Sequence, residues 1–245
     1  QRKEPVSLIS EELGRTIGII RDIFSPNFQS IHVNDKEVYE EIKQYLPNLK
    51  CIFYGAGSVK AFAKPFLDCG VKIFSAWQAN AIPVAESCIA QIILANKGFY
   101  YLSRIAKKGW RNAKSLVGNF PGNYEAKVGL IGLGAIGVLV ANAALDLGMD
   151  VIGYDPYLSL ENAWHLSPSV EREEAIEDVV AKADYITLHI PLTDKTKHTF
   201  NEKLFSVTKP GARLLNFARG GLVDNEALKK AIAEKGMTIL PLEVY

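Results

Sequence analysis

The sequence has little of what a disulfide framework, a metal centre or a polyanion-binding surface requires. It contains 3 cysteines, and Cys51, Cys69 and Cys88 lack the spacing of metal ligands. We therefore expect reduced, buried thiols in a cytoplasmic protein, and no bound metal. The formal net charge is only +1, so the charge balance predicts neither nucleic-acid binding nor a disordered tail.

Long uninterrupted apolar runs are also missing. Each apolar segment is broken well short of the about 20 residues that a membrane span needs, so we expect no membrane association. No charged-then-apolar segment typical of a secretory signal opens the sequence. Residue 1 is Gln rather than Met, so we expect the natural start to lie upstream. What is present is a hydrophobic fraction of 48% in 245 residues, enough for one large or two modest domains.

The segment 128–157 has an order typical of one kind of ligand site. An apolar run ends at Ile131 and a G-x-G-x-x-G follows it. An Ala-rich amphipathic stretch then extends to Gly148, and a second apolar run ends in Asp155. This order predicts a strand, a glycine turn, a helix, a second strand and an acid.

Each glycine of the motif has its own physical reason. Gly132 permits a tight turn, Gly134 lets a pyrophosphate approach the backbone, and Gly137 lets the helix pack closely on the strand. The helix N-terminus presents unsatisfied N–H groups and a partial positive charge to the phosphates. Asp155 stands where a carboxylate accepts hydrogen bonds from an adenosine ribose. Because a 2′-phosphate would meet this anion, the sequence predicts binding of NAD rather than NADP.

The rest of the chain alternates strands and helices. Upstream of the motif, we expect a helix at 36–46, a buried strand at 50–54, a turn at 55–57, a strand at 71–75, a long helix at 82–107 with a mild interruption at Gly98, and a linker at 118–123. Downstream, we expect a helix at 173–182, a strand at 185–189, a helix capped by Asn201, a strand at 213–217, a helix at 226–234 capped by Asp224 or Asn225, and a strand at 238–242. Five strands alternating with helices imply parallel pairing through right-handed crossovers.

Residues of unusual chemistry follow the predicted strands. They are the glycine turn, Asp155, His189 with Ile190 and Pro191, the segment 218–221 and Glu243. In an open parallel sheet all of them lie at the carboxyl edge, where ligands bind. The sequence therefore predicts one crevice built from five strand ends.

Arg219 is the strongest candidate for contact with a substrate. Gly220 and Gly221 beside it leave room for a ligand close to the backbone, and a guanidinium suits bidentate capture of a carboxylate. The alternative is a turn arginine in a surface ion pair. His189 is expected either to line the cofactor pocket or to be a satisfied core histidine. Glu243 either accepts a hydrogen bond from a carboxamide or is an ordinary acid at a strand end.

Five segments, taken together, carry a family resemblance. They are LPNLKCIFYGAG at 46–57, NAIPVAESCIAQIILA at 80–95, VGLIGLGAIG at 128–137, LHIPLTDKTKHTFN at 188–201 and NFARGGLVDNEAL at 216–228. These segments resemble the D-isomer-specific 2-hydroxyacid dehydrogenases, among them phosphoglycerate dehydrogenase, glyoxylate reductases and D-lactate dehydrogenase. The resemblance implies an α/β fold with a Rossmann doubly wound parallel sheet at 124–245 and a connecting helix and linker at 98–123. A smaller flavodoxin-like substrate domain would occupy 1–97, and both domains would be incomplete.

The resemblance also implies an NAD-dependent oxidoreductase that acts on a small 2-hydroxy or 2-oxo acid, with Arg219 as a catalytic residue. The implied cofactor-binding residues are Gly132, Gly134, Ala135, Ile136, Gly137, Asp155, His189, Ile190, Pro191, Phe217, Ala218, Arg219 and Glu243. The implied substrate-binding residues are Gly55, Ala56, Gly57, Ser58 and Arg219. A homodimer is expected from the same resemblance.

Three departures from the family pattern qualify these expectations. Glu243 stands where the family usually has Asp, and Ser58-Val59-Lys60 replaces a Val-Asp pair followed by a further acid. The family's catalytic glutamate and histidine would lie beyond Tyr245, so we expect the sequence to be a fragment of a longer chain. Two alternatives stay open: an NAD-binding regulatory protein resembling the C-terminal-binding-protein corepressors, and an inactive NAD-binding module.

Overall fold

The computed structural model describes residues 48–55, 59, 63–120 and 122–240. Contacts divide the chain into two compact units, Gln1–Asn80 and Ala81–Tyr245. The helix expected at 36–46, the substrate-loop residues Ala56, Gly57 and Ser58, and Glu243 lie outside the described residues. Within the described ranges, no helix combines the length and the apolar character that crossing a bilayer would require.

The first unit contains a two-stranded parallel sheet. Its elements are β1 (Cys51–Tyr54), α1 (Ala63–Asp68) and β2 (Lys72–Ser75). The prediction that the strand at 50–54 is buried is wrong, because Ile52 is buried but Phe53 is 76% exposed. Phe53 stacks on Phe74 of the neighbouring strand, with the ring centroids 5.0 Å apart. Successive side chains point to opposite faces, so one face of this pair is covered and the other is open.

Helices connect this unit to the main sheet. They are α2 (Trp77–Asn96), α3 (Phe99–Ala106) and α4 (Trp110–Lys114), followed by a 3-10 turn (Val117–Asn119). The helical pattern predicted at 82–107 is broken at Gly98 as expected, but the break is not mild, because Gly98 adopts φ +62° and separates α2 from α3. A Cβ atom on Gly98 would lie 2.5 Å from the ring of Phe120. The interruption is therefore complete, and only glycine fits it.

The second unit is built on a six-stranded sheet. Its strands are β3 (Lys127–Ile131), β4 (Asp150–Tyr154), β5 (Glu171–Arg172), β6 (Tyr185–Leu188), β7 (Arg213–Asn216) and β8 (Thr238–Ile239). Their spatial order is β5-β4-β3-β6-β7-β8, and every neighbouring pair is parallel. The predicted doubly wound Rossmann sheet is confirmed. The edge strand β5 was not predicted, because two residues are too few to show a hydrophobic period.

The helices of the sheet are α5 (Ala135–Asp146), α6 (Leu160–His165), α7 (Ile176–Lys182), α8 (Glu202–Val207) and α9 (Asn225–Lys235). The capping predictions are confirmed: Asn201 accepts a hydrogen bond from the Leu204 amide, and Asp224 caps α9. Gly236 ends α9 in the left-handed region, with φ +63°. Helix α7 begins three residues later than predicted, and α6 was not predicted.

Apolar side chains cover both faces of the sheet, as parallel strands require. On one face, Ile186 and Leu188 of β6 belong to a core formed with α7, α8 and α9. On the other, Val128 and Leu130 of β3 pack against α2 and α5. The sheet is thus a rigid support whose loops at the carboxyl edge carry the candidate site.

Candidate functional site

The strand order creates a switch point at the carboxyl edge. Strand β3 has β4, the next strand in sequence, on one side, and β6 on the other. In open parallel sheets, a crevice forms beyond the strand ends where the order reverses, and ligands bind there. The loops meet there: the His189 amide donates to the Ile131 carbonyl at 2.8 Å, and the Gly132 amide donates to the Tyr154 carbonyl at 2.9 Å.

The three motif glycines differ in what surrounds them. A Cβ atom on Gly137 would lie 2.1 Å from the carbonyl oxygen of Gly132, so helix α5 sits too close to the turn for any side chain. Gly132 has φ +97°, and a Cβ atom there would lie 2.9 Å from Ile190. A Cβ atom on Gly134, by contrast, would have no neighbour within 4 Å among the described residues. Two glycines are therefore required by packing, and the third borders open space.

The N-terminus of α5 faces this open space with its amides uncapped. Gly134 is the N-cap residue, and no side chain of the described chain bonds to the first turn. Ala135 and Ile136 follow it and are half-buried. A 12-residue helix presents the positive end of its dipole and several N–H donors at this point. These features fit a pyrophosphate, because an anion would satisfy the donors and fill the space beside Gly134.

Asp155 joins the end of β4 to the glycine turn. Its Oδ2 atom accepts a hydrogen bond from the Leu133 amide at 2.8 Å, and its Oδ1 atom accepts one from the Tyr157 amide at 2.8 Å. Each carboxylate oxygen has a further lone pair, so both remain able to accept hydrogen bonds from a ribose diol. The contact with Leu133 could not be seen from the motif spacing. Through this contact, the Asp155 carboxylate lies beside the glycine turn without any bound ligand.

His189 contributes its backbone to the crevice and its side chain to a buried polar chain. Its Nε2 atom lies 3.0 Å from Thr187 Oγ1, which lies 3.3 Å from the Sγ atom of Cys88 on α2. Its Nδ1 atom is buried and has no hydrogen-bond partner in the described part of the chain. Burial lowers the pKa of His189 to about 4 and raises the pKa of Cys88 to about 12. Both groups are therefore neutral at pH 7.

The loops after β6 and β7 are bonded to each other. The His198 amide donates to the Gly221 carbonyl at 2.9 Å, and Phe200 pairs with Val223 in an isolated bridge. The Thr196 hydroxyl donates to the Pro191 carbonyl at 2.6 Å and so closes the first of these loops on itself. The segment that would line the cofactor is thus attached to the segment that carries Arg219.

Arg219 lies on the exposed turn that follows β7. Its guanidinium donates to the Ala218 carbonyl at 2.7 Å. The half-buried Phe217 and Ala218 precede it, and the buried side chain of Asn216 bonds to the Ala218 and Arg219 amides. Asn216 was not predicted as a site residue, although an Asn at the end of an apolar strand was the available signal.

Residues 89–245 match the family model described as the D-isomer specific 2-hydroxyacid dehydrogenase, NAD binding domain. The chain belongs to this family. The family assignment confirms the predicted resemblance and NAD as the cofactor, and the comparisons give no support to the corepressor alternative.

Relatives extend over much of the chain but are longer than it. D-3-phosphoglycerate dehydrogenase of Methanocaldococcus jannaschii is 36% identical over 176 residues, which are 72% of this chain and 33% of that protein. The chain therefore spans a third of the length of this relative. The crystal structure of Aquifex aeolicus D-lactate dehydrogenase, complexed with NAD and lactic acid, aligns with a TM-score of 0.63 and 26% identity over 87% of this chain and 68% of that one. Rhodotorula graminis D-mandelate dehydrogenase aligns with a TM-score of 0.71 over 86% and 63%, at 24% identity, and shows the same fold.

The amino edge of the six-stranded sheet carries a second polar cluster, separate from the glycine turn. The Tyr185 hydroxyl donates to Asn96 on α2 at 2.6 Å and accepts from Arg213 at 2.7 Å. Burial raises the pKa of Tyr185 to about 12, so its hydroxyl stays protonated at any working pH. A cavity of about 340 Å³ opens beside these residues and Asp184. It lies at the edge opposite the glycine turn, so it is separate from the crevice.

Proposed function

We propose that the protein transfers a hydride between C4 of nicotinamide and C2 of a D-2-hydroxy or 2-oxo acid. The observation that carries the proposal is the placement of Asp155 and Arg219 on opposite sides of the glycine turn. Asp155 follows β4, the turn follows β3, and Arg219 follows β7, in the strand order β4-β3-β6-β7. With the adenosine ribose at Asp155 and the pyrophosphate at the turn, the reactive ring extends toward Arg219.

The strand spacing supports this assignment. Neighbouring strands lie about 4.8 Å apart, so the ends of β3 and β7 are separated by roughly 10 Å. A guanidinium at this distance from the phosphates can bind a substrate carboxylate through two N–H donors. Its positive charge also polarises the carbonyl next to that carboxylate. NAD, when bound, supplies the hydride chemistry, and the protein supplies orientation and charge.

His189 is unsuited to exchange the hydroxyl proton of the substrate. Its ring is buried against Thr187, and its lowered pKa keeps it neutral. The family resemblance implies that a histidine and a glutamate carry out this step. The proposed substrate contacts of residues 55–58 and the carboxamide contact of Glu243 also rest on that resemblance.

A cytoplasmic homodimer completes the proposal. The free thiols at Cys51, Cys69 and Cys88 are typical of a reducing compartment. Two aromatic side chains on the connecting helices support self-association, since Trp110 is 70% exposed and Phe99 is 53% exposed. Sedimentation of the purified protein measures its oligomeric state directly.

Turnover by the natural full-length chain tests the proposed activity. Glyoxylate, hydroxypyruvate and phenylpyruvate are offered with NADH, and oxidation of NADH is followed by absorbance. Arg219→Ala should lower kcat/KM by about a hundredfold or more, with NADH affinity changed little, because a charged hydrogen-bond partner of the substrate is lost. Arg172→Ala is the matched control, since Arg172 is exposed on edge strand β5 and pairs with Glu174 at 3.8 Å. Unchanged turnover in Arg219→Ala would refute the assignment, and NADH binding without turnover would favour an inactive module.

A further inference from the structure

The side chain of Asn216 forms three hydrogen bonds, all with the backbone of the turn that carries Arg219. It lies at the end of β7 and is 3% exposed. Its Oδ1 atom accepts hydrogen bonds from the Ala218 amide at 3.0 Å and from the Arg219 amide at 3.2 Å. Its Nδ2 atom donates to the Arg219 carbonyl at 2.8 Å. The carboxamide therefore holds the backbone of Arg219 on both its N–H and its C=O side.

The same turn is fixed from its far end. The Arg219 carbonyl also accepts a hydrogen bond from the Leu222 amide at 3.2 Å, within the 3-10 turn Gly220–Leu222. The next carbonyl but one, that of Gly221, accepts from the His198 amide at 2.9 Å. With both ends held, the Cα–Cβ bond of Arg219 has one defined origin and direction, while its guanidinium stays on the surface.

Asparagine has the chemistry that this position requires. The turn presents two N–H donors and one C=O acceptor, so the side chain must accept and donate at once. Aspartate would keep the acceptors but would bring a carboxylate oxygen against the Arg219 carbonyl. An apolar residue, the usual occupant of a buried strand end, would leave all three backbone groups without this partner. Burial of a carboxamide is costly unless it is hydrogen-bonded, and here the turn supplies two donors and one acceptor.

We propose that Asn216 is a positioning residue, which fixes the Arg219 turn so that the guanidinium meets the substrate carboxylate in one orientation. The proposal rests on the function assigned to Arg219 above. We call the three hydrogen bonds of the Asn216 carboxamide the brace. Without the brace, the 218–219 peptide can rotate, and substrate binding must then order the arginine. Misplacement of a binding group by about 1 Å can cost a hundredfold in rate. We expect the loss to affect substrate binding rather than NADH binding, because the glycine turn and Asp155 hold the pyrophosphate and adenosine of the cofactor.

Two variants of the full-length chain test the proposal by steady-state kinetics. Asn216→Asp removes the donor, and Asn216→Ser leaves a short acceptor that cannot span the turn. Each should raise KM for the oxo acid and lower kcat/KM by about 10- to 100-fold, with the Kd for NADH within about threefold of wild type. Asn142→Asp is the matched control, because the Asn142 carboxamide braces a loop after α6 by bonding to the His165 carbonyl at 2.8 Å and the Ser167 amide at 2.9 Å. It should leave kcat/KM unchanged.

A double variant separates positioning from a general loss of structure. If Asn216 acts through Arg219, Asn216→Asp should cause no further loss of kcat/KM in the Arg219→Ala background. A loss that multiplies with that of Arg219→Ala would overturn the proposal, as would wild-type kinetics in both single variants.

Amide exchange distinguishes failure of this proposal from failure of the proposed function. In Asn216→Ser, the amides of Ala218 and Arg219 should exchange at least about tenfold faster than in wild type, while the Leu214 amide inside β7 keeps its protection. If no oxo acid is turned over by wild type, the proposed function fails, and exchange still decides whether the brace exists. Unchanged protection of both amides would overturn it, whatever the activity.

Discussion

The Asp155 carboxylate and the Leu133 amide are joined by a hydrogen bond of 2.8 Å. This bond links the acid proposed to select the ribose to the turn proposed to receive the pyrophosphate. We therefore expect a change in the acid to alter both parts of the proposed cofactor site.

Substitution of Asp155 should separate its two roles. Asp155→Ala removes the charge and the bond to Leu133, so it should weaken NADH binding by about tenfold or more and reduce discrimination against NADPH. Asp155→Asn keeps an acceptor for Leu133, so it should relax the discrimination with a smaller loss of NADH affinity. Fluorescence titration with NADH and NADPH measures both effects. Asp150→Asn is the control, because the exposed Asp150 carboxylate lies 3.9 Å from the half-buried Lys127 ammonium and away from the glycine turn. An unaltered preference in both Asp155 variants would contradict the assigned role.

Alanine at two motif glycines should give opposite outcomes. In Gly137→Ala the new Cβ atom would meet the Gly132 carbonyl at 2.1 Å, so the helix must shift, and overpacking of this kind costs about 1–3 kcal/mol. In Gly134→Ala the new Cβ atom enters open space, so stability should hold within about 0.5 kcal/mol. NADH affinity should still fall in Gly134→Ala, because the methyl group occupies the space expected for the phosphates. Urea unfolding and NADH titration check the pair, and equal stability losses would argue against this division.

The buried His189 should make stability depend on pH in a defined window. Its pKa is lowered from 6.5 to about 4 by burial, so the unfolded chain takes up more protons than the native chain between these values. The stability that this group contributes is present above pH 6.5 and is lost as the pH falls toward 4. The shift corresponds to about 3 kcal/mol at most.

Urea midpoints at pH 7 and pH 5 measure this loss for wild type and for His189→Gln. Because glutamine does not titrate, the variant should lose less stability between the two pH values, whatever its stability at pH 7. The same loss in both proteins would show that other groups cause it.

Thiol reactivity should divide the cysteines by their environment. Cys51 is exposed, whereas Cys88 is buried and burial raises its pKa to about 12. Because the thiolate is the nucleophile, Cys88 should not react with a disulfide reagent at pH 8 in the folded protein. The Cys51→Ser/Cys69→Ser variant isolates this thiol, which should react only when urea unfolds the chain. Rapid labelling of that variant without urea would contradict the buried position.

Much of the second unit could be predicted because its signals are local. Apolar runs mark strands β3, β4, β6 and β7, and the caps at Asn201 and Asp224 depend on neighbouring amides. The motif also implied the close packing at Gly137. Two-residue β5 carried no such pattern. These elements were predictable to the extent that short segments determine them.

The rest of the site depends on contacts between distant residues. Thr187 bonds to Cys88, which lies 99 positions away in sequence, and no pattern in either segment indicates the other. The brace at Asn216 is local, but the sequence gives only an Asn after an apolar run, which equally fits a turn. The exposed face of β1 was missed because an apolar run does not reveal which side of a strand is covered.

The bond from the His198 amide to the Gly221 carbonyl, with the Phe200–Val223 bridge, has a mechanical consequence. We expect these bonds to make the segment after Pro191 and the segment after Arg219 move together. If a dinucleotide binds beside Pro191 as proposed, we expect any shift of that segment to change the position of Arg219 as well.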